Sequence, residues 1–267
     1  MEEPKVSIII PTYNMAASLE AAVDSVIAQT YKNWELLIID DFSQDNTPAL
    51  AASFVSRKNV NVRYVRCQNN VGRSAALNLG LRQSEGVYVA LLDADDTITQ
   101  VSLKRRVDYL AANPEKSAVF ADTFYVDRSG LIYAVRIPST KFQKSSDKAM
   151  DFLGSIMMEF HPMTLMYRRE VFERIGFFDE SLRRKQDGDL VFRLLSQCDV
   201  GYVASQVYNY SVDGTTIRRI RKRLRGMISQ QQILKKHTKG LDRLRLSVKL
   251  GIVDFLKLLY ESVSYKK

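Results

Sequence analysis

The fold class this sequence predicts is α/β: a mostly parallel sheet flanked by helices. Three observations predict it. Short apolar runs alternate with segments of helical periodicity through the first hundred residues. Runs such as Ile8-Ile9-Ile10 and Leu36-Leu37-Ile38-Ile39 are continuously apolar, as strands covered on both faces are. Three runs end in polar groups: Pro11-Thr12-Tyr13-Asn14, Asp40-Asp41-Phe42-Ser43 and Asp93-Ala94-Asp95-Asp96. A parallel sheet gathers such ends along one edge, where ligands bind.

The elements follow in order. Residues 6–11 read as a strand, and 16–29 as a helix with Leu19, Val23, Val26 and Ile27 on one face. A second strand covers 35–39. A helix over 46–57 follows a Ser/Asp turn, and a third strand covers 60–67. Residues 73–83 read as a helix with Ala76, Leu77 and Leu81 together, and 86–92 as a fourth strand. The second half is less regular. Strands are expected over 118–126 and 131–136 about an Asp127-Arg128-Ser129-Gly130 turn, and another over 165–168. Short helices are expected over 169–175 and 187–196. These elements place one domain over residues 1–215 and a helical, basic C-terminal extension over 216–267.

Composition excludes several classes. Apolar residues make up 46%, enough for an ordinary core. Cys67 and Cys198 have no CxxC spacing and read as reduced core residues. With only His161 and His237 beside them, no zinc constellation forms, and His161 reads as a structural histidine. Neither a GxGxxG fingerprint nor a Walker loop is present, against a dinucleotide dehydrogenase or a P-loop ATPase. The residues after Met1 lack a signal-peptide pattern, and no run approaches the roughly 18 apolar residues of a membrane span. A cytoplasmic, reducing compartment is expected.

Net charge is +9, but its placement is uneven. Residues 216–267 hold 15 Lys+Arg against 3 Asp+Glu, while residues 1–215 hold 24 against 27. The run from Arg218 to Arg225 leads into Leu241, Leu244, Val248, Ile252, Leu256, Leu259 and Val263 at helical spacing. Such an amphipathic helix packs on the main domain, on a second copy in a homodimer, or on an anionic membrane surface. Peripheral attachment to the inner face of the cell membrane is expected. Nucleic acid is not, because the run lacks interleaved aromatics.

Asp93, Asp95 and Asp96 end a buried strand and must face water, a cation or a ligand. Clustered carboxylates suit a hard divalent cation, Mg2+ or Mn2+, and so a site that handles phosphate. A helix N-cap at this position accounts for one of the three, or two. Asp40 and Asp41 read either as an Asx-turn loop or as acceptors for a nucleobase or ribose.

These segments, with Gln29-Thr30-Tyr31, Glu35 to Ser43 and Asn70-Val71-Gly72-Arg73-Ser74-Ala75-Ala76-Leu77-Asn78-Leu79-Gly80, resemble the inverting family 2 glycosyltransferases. The order and spacing agree through about the first 100 residues. The likeness resumes at Met166 to Arg169, Gly176 to Glu180 and Asp187-Gly188-Asp189-Leu190.

The resemblance implies a GT-A fold. It implies that Pro11, Thr12, Tyr13, Asp40 and Asp41 contact the donor nucleotide, Asp41 taking the base. Arg73 would lie near the donor phosphates or sugar. Asp93 and Asp95 would form the DXD motif, with Asp93 near the ribose or donor sugar and Asp95 on the metal. Asp187 would be the general base, with Asp189 second. The family's usual Glu-Asp pair reads Gln186-Asp187 here. The implied reaction is metal-dependent transfer from a nucleotide-sugar donor, usually a UDP-sugar, to a carbohydrate or lipid-linked acceptor, in polysaccharide or glycolipid biosynthesis. Two other readings stand beside it: a nucleotidyltransferase acting on a sugar phosphate, and a non-catalytic membrane-surface adaptor.

Overall fold

Val6–Thr12 (β1) is buried at all seven positions. Its Ile8-Ile9-Ile10 run lies between β2 and β4 in a sheet clad by helices, as the sequence predicts. The computed structural model describes residues 3–126, 132–136, 162–182, 185–211 and Lys236. Leu19–Ile27 (α1) leads to Trp34–Asp40 (β2), also buried throughout. Thr47–Val55 (α2) starts with Pro in its first turn and leads to Val62–Arg66 (β3). Arg73–Gln83 (α3) and Tyr88–Leu91 (β4) complete the regular half.

Thr97–Ile98 (β5) and Ser102–Ala112 (α4) come next, followed by Ala118–Val126 (β6) and Ile132–Arg136 (β7). A 3-10 turn at Pro162–Thr164 precedes Met166–Arg168 (β8) and Val171–Ile175 (α5). Gln186–Gln197 (α6) and Val200–Ser211 (β9) close the described domain.

The strands run β3-β2-β1-β4-β8-β6-β9-β5, with β7 on β6. The first four are mutually parallel. Beyond β4 the sheet is mixed: β8 is antiparallel to β4 and to β6, while β6 and β9 are parallel. The expected parallel sheet is therefore the N-terminal half of a mixed one. β5, α4 and β9 go beyond the elements read from the sequence.

Register positions the site. Thr12 lies beside Asp40 on β2, and Ile9 beside Leu91 on β4. The chain leaves β1, β2 and β4 at one edge, so the three polar strand ends meet there. α3 lies close against β1 and β2 because Gly80 has no side chain. A Cβ there would come 2.5 Å from Ile9 Cγ2 and 3.1 Å from Ile39 Cγ1.

Arg106 on α4 is fully buried and is spent on structure. It donates to the carbonyls of Thr164 and Leu165 and to the Ser102 hydroxyl. The 162–165 segment is thereby fixed beneath the site.

The expected extension over 216–267 and its boundary near 215, the turn at 127–130, and His161 and His237 lie outside the described residues, Lys236 excepted. No helix among the described residues is long and apolar enough to cross a membrane.

Candidate active site

The ends of β1 and β2 are laced together by their loops. Asp41 N–H donates to the Thr12 carbonyl at 2.9 Å, and Asn14 N–H to Ser43 Oγ at 2.9 Å. Gln44 N–H returns a bond to Asn14 Oδ1 at 2.7 Å. Asn14 and Phe42 both have positive φ, 53° and 68°. Asn tolerates that region; a bulky aromatic is strained in it. Tyr13 is exposed at the tip of the first loop.

Asp40 and Asp41 divide their work. Asp40 is fully buried and accepts from Ser43 N–H at 2.8 Å and Tyr64 Oη at 2.6 Å. The Tyr64 phenol is held far above its ordinary pKa, first by burial and then by this bond. Asp41 reaches the loop ahead of α3. One of its oxygens accepts from Val71 N–H at 2.6 Å, the other from Gly72 N–H at 2.9 Å. Gly72 stands at φ 90°, which suits a residue without a Cβ. Asp41 thereby anchors the start of α3, where Arg73 is the first helical residue. Each Asp41 oxygen retains a further lone pair, so this anchoring is compatible with the expected base contact.

Arg73 crosses to the end of β4. Its guanidinium lies 2.5 Å from Asp93 Oδ1 and 3.8 Å from Met163 Sδ. Burial alone would lower its pKa; the charges of Asp93 and then Asp187 outweigh it and raise it. Asp187 comes from the first turn of α6, on the far side of the chain. Arg73 of α3 thus pairs with Asp93 at the end of β4 and feels the charge of Asp187 on α6.

Asp93, Asp95 and Asp96 each offer an oxygen within 4.8 Å of the others. That is a hard-donor set of the kind Mg2+ or Mn2+ takes. The third member is committed elsewhere: Asp96 accepts from Tyr208 Oη at 2.7 Å and Ser211 N–H at 2.7 Å. Burial pushes its carboxyl up to about 7 against those bonds, which lower it. Asp95 is exposed and Asp93, in its ion pair with Arg73, partly so. The N-cap reading of Asp96 is corrected here. Thr97–Ile98 is a strand, α4 starts only at Ser102, and Asp96 fastens β9 rather than a helix.

Tyr208 is the residue sequence reasoning missed. It is fully buried on β9, donates to Asp96 and accepts from Asp93 N–H at 3.4 Å. The alternation of Tyr202, Tyr208 and Tyr210 was the available signal. Asp189, the second choice for a base, is fully buried. It pairs with Arg193 at 2.7 Å and with Lys236 at 2.9 Å. Arg193 also donates to the carbonyls of Ile175, Gly176 and Phe177, so Asp189 holds the α5–α6 connection.

Thr12 Oγ1, Ser74 Oγ and Gln186 Oε1 are buried with no hydrogen-bond partner among the described residues. They sit on β1, α3 and α6, three of the elements that border the site. Unpaired buried polar atoms are uncommon and call for an explanation.

Known proteins resemble this chain over most of its length. The profile described as glycosyl transferase family 2 matches residues 7–176. The chain belongs to glycosyl transferase family 2. An uncharacterized family member named as a glycosyltransferase in Rickettsia typhi is 31% identical over 226 residues, 81% of this chain and 68% of that protein. Glycosyltransferase GlyA of Streptococcus pneumoniae is 28% identical over 82% of this chain, which spans only 32% of GlyA.

Solved structures share the fold, which is GT-A. The mannosyltransferase PcManGT of Pyrobaculum calidifontis, in complex with GDP-Man and Mn2+, superposes with a TM-score of 0.70 at 21% identity. That match covers 98% of this chain and 74% of PcManGT. TarS 1-349 of S. aureus in complex with UDP gives 0.64 at 18% identity, over 91% and 69%. Membership of the family makes the chain a glycosyltransferase and sets aside the nucleotidyltransferase and adaptor readings.

Proposed function

We propose that this glycosyltransferase is inverting and metal-dependent, and moves a sugar from a nucleotide-sugar donor, a UDP-sugar, to an acceptor hydroxyl. The observation that carries the reading is the Arg73–Asp93 ion pair at the carboxyl end of β4, where the charge of Asp187 is also felt by Arg73. A donor diphosphate needs positive charge, and an acceptor hydroxyl needs a base across the sugar from it. Those two demands match the cationic and anionic sides of this cluster. Support for the donor class comes from similar structures: TarS in complex with UDP or UDP-GlcNAc, and PcManGT with GDP-Man and Mn2+.

In this mechanism Pro11, Thr12, Tyr13, Asp40 and Asp41 shape the base and ribose subsite, Asp41 meeting the base. Asp93 faces the ribose or donor sugar, and Arg73 lies beside the phosphates. Asp95 would hold Mn2+ or Mg2+, which would neutralise charge developing on the leaving diphosphate. Asp187 takes the proton of the acceptor hydroxyl. The new oxygen–carbon bond forms on one face of the anomeric carbon as the bond to the diphosphate breaks on the other, so configuration inverts. The commitment of Asp189 to Arg193 and Lys236 favours Asp187 for this role.

The acceptor is a carbohydrate or lipid-linked sugar in polysaccharide or glycolipid assembly. The basic residues 216–267 would bring the protein to an anionic membrane surface on the cytoplasmic side, or pair two copies. A thermal-shift panel of nucleoside diphosphate sugars, with and without Mn2+, tests the reading. A Mn2+-dependent rise in Tm with one UDP-sugar is expected. A panel with no response in either condition contradicts it.

A further inference from the structure

Phe42 occupies a position that no bulky residue takes without cost. Its φ is 68°, the left-handed region that favours Gly or Asn, and the residue is 37% exposed, its ring under the Arg66 guanidinium. Strain kept at an aromatic that still reaches solvent points to a functional constraint.

The surroundings say which constraint. Arg66, from the end of β3, holds its guanidinium 5.0 Å from the Phe42 ring centroid. That guanidinium is itself fixed: Nη2 donates to the Ser43 carbonyl at 2.8 Å, and Nε lies 3.7 Å from Asp40 Oδ2. Gln44 Nε2 donates to the Phe42 carbonyl at 2.9 Å and braces the turn. Phe42 directly follows Asp41. A second exposed aromatic, Tyr13, stands on the adjoining loop, which is tied to this one through Asn14.

We infer that the Phe42–Arg66 pair is an affinity-determining wall of the donor site, against which the nucleobase of the donor stacks. The inference rests on the donor reading above and deepens it. An aromatic ring backed by a guanidinium presents a flat, polarisable face that any nucleobase can cover. The strained backbone holds that face open to solvent rather than letting it fold onto the sheet. The wall sets affinity for the base and contributes nothing to the diphosphate.

Replacement of Phe42 separates strain from stacking. Phe42→Gly and Phe42→Asn both relax the backbone while removing the ring. Their melting temperatures should equal or exceed that of the wild type. Calorimetric titration with uridine diphosphate and Mn2+ should show affinity lowered roughly tenfold in both, the scale of one lost base–aromatic stack. Phe42→Trp should retain affinity. Inorganic pyrophosphate, which has no base, should bind wild type and variants alike.

Unchanged uridine diphosphate affinity in Phe42→Gly would overturn the wall while leaving the donor site standing. An equal loss for pyrophosphate would also overturn it, because the effect would then not concern the base. If the wild type binds neither uridine nor guanosine diphosphate with Mn2+, the donor reading itself falls and the wall with it.

Discussion

Tyr208 donates its phenolic proton to Asp96 at 2.7 Å, joining β9 to the turn that carries Asp93 and Asp95 across 112 residues of sequence. The same oxygen accepts from Asp93 N–H. One hydroxyl therefore fixes the geometry of the carboxylates from behind, in a fully buried position. Removing it leaves a buried carboxylate short of a donor. Tyr208→Phe is expected to lower stability by about 1–3 kcal/mol and to raise the Mn2+ concentration needed for half-maximal activity. Denaturant melts and a metal titration check both.

Asp96 also predicts a pH dependence. Its folded-state pKa, about 7, lies above the ordinary value of 3.8. The native state therefore holds the proton more tightly than the unfolded chain, so this group's contribution is most favourable below the ordinary value. It declines as pH rises from there and levels off above pH 7. Metal-free Asp96→Asn protein should show a flatter stability profile than wild type across that window. A parallel profile would place the titrating group elsewhere.

Asp187 and Asp189 are two residues apart but should fail differently. Asp189 is buried against Arg193, and breaking a buried pair by removing one charge costs about 3–5 kcal/mol. Asp189→Asn is expected to destabilise the protein on that scale. Asp187→Asn should melt with the wild type. Circular dichroism melts of the two variants, run side by side, decide the matter.

Lys236 bridges Asp179 at 2.8 Å and Asp189 at 2.9 Å, with its side chain 39% exposed. Solvent screens such a pair, so Lys236→Ala should cost no more than about 1 kcal/mol, and less in high salt. Hydrogen bonds from Lys236 and then Ser181 hold the Asp179 carboxyl below its ordinary range. That contribution is present above the ordinary value and is lost as pH falls through the depressed one. The difference between wild type and Lys236→Ala should shrink in acid.

The regular half of the fold was legible because β1, β2 and β4 are buried on both faces and α1 buries one apolar stripe. β1, β2, β6, α3 and α6 fall where periodicity placed them, within a few residues. β9 was not legible. Val200–Ser211 mixes buried and exposed positions without strict alternation, and its pairing with β6 shifts register near Asp122. β5 is two residues long and owes its existence to β9 alone.

The site was legible at the strand ends, where charge follows an apolar run. It was not legible where a role depends on a distant partner. The bond from Ser43 N–H to Asp40 is the turn the sequence offered, but nothing local told that Asp96 answers to Tyr208 rather than to a helix, or that Asp40 would also be taken by Tyr64. Charge counts also hid Arg106, an apparent surface residue of α4 that ends fully buried on backbone carbonyls.

The most direct test of the account is donor turnover by Asp187→Asn against wild type, with Mn2+ and the UDP-sugar that stabilises the protein. Removal of a general base is expected to lower turnover by about 10²–10⁴, with donor affinity and Tm unchanged. Turnover within a few-fold of wild type would contradict it.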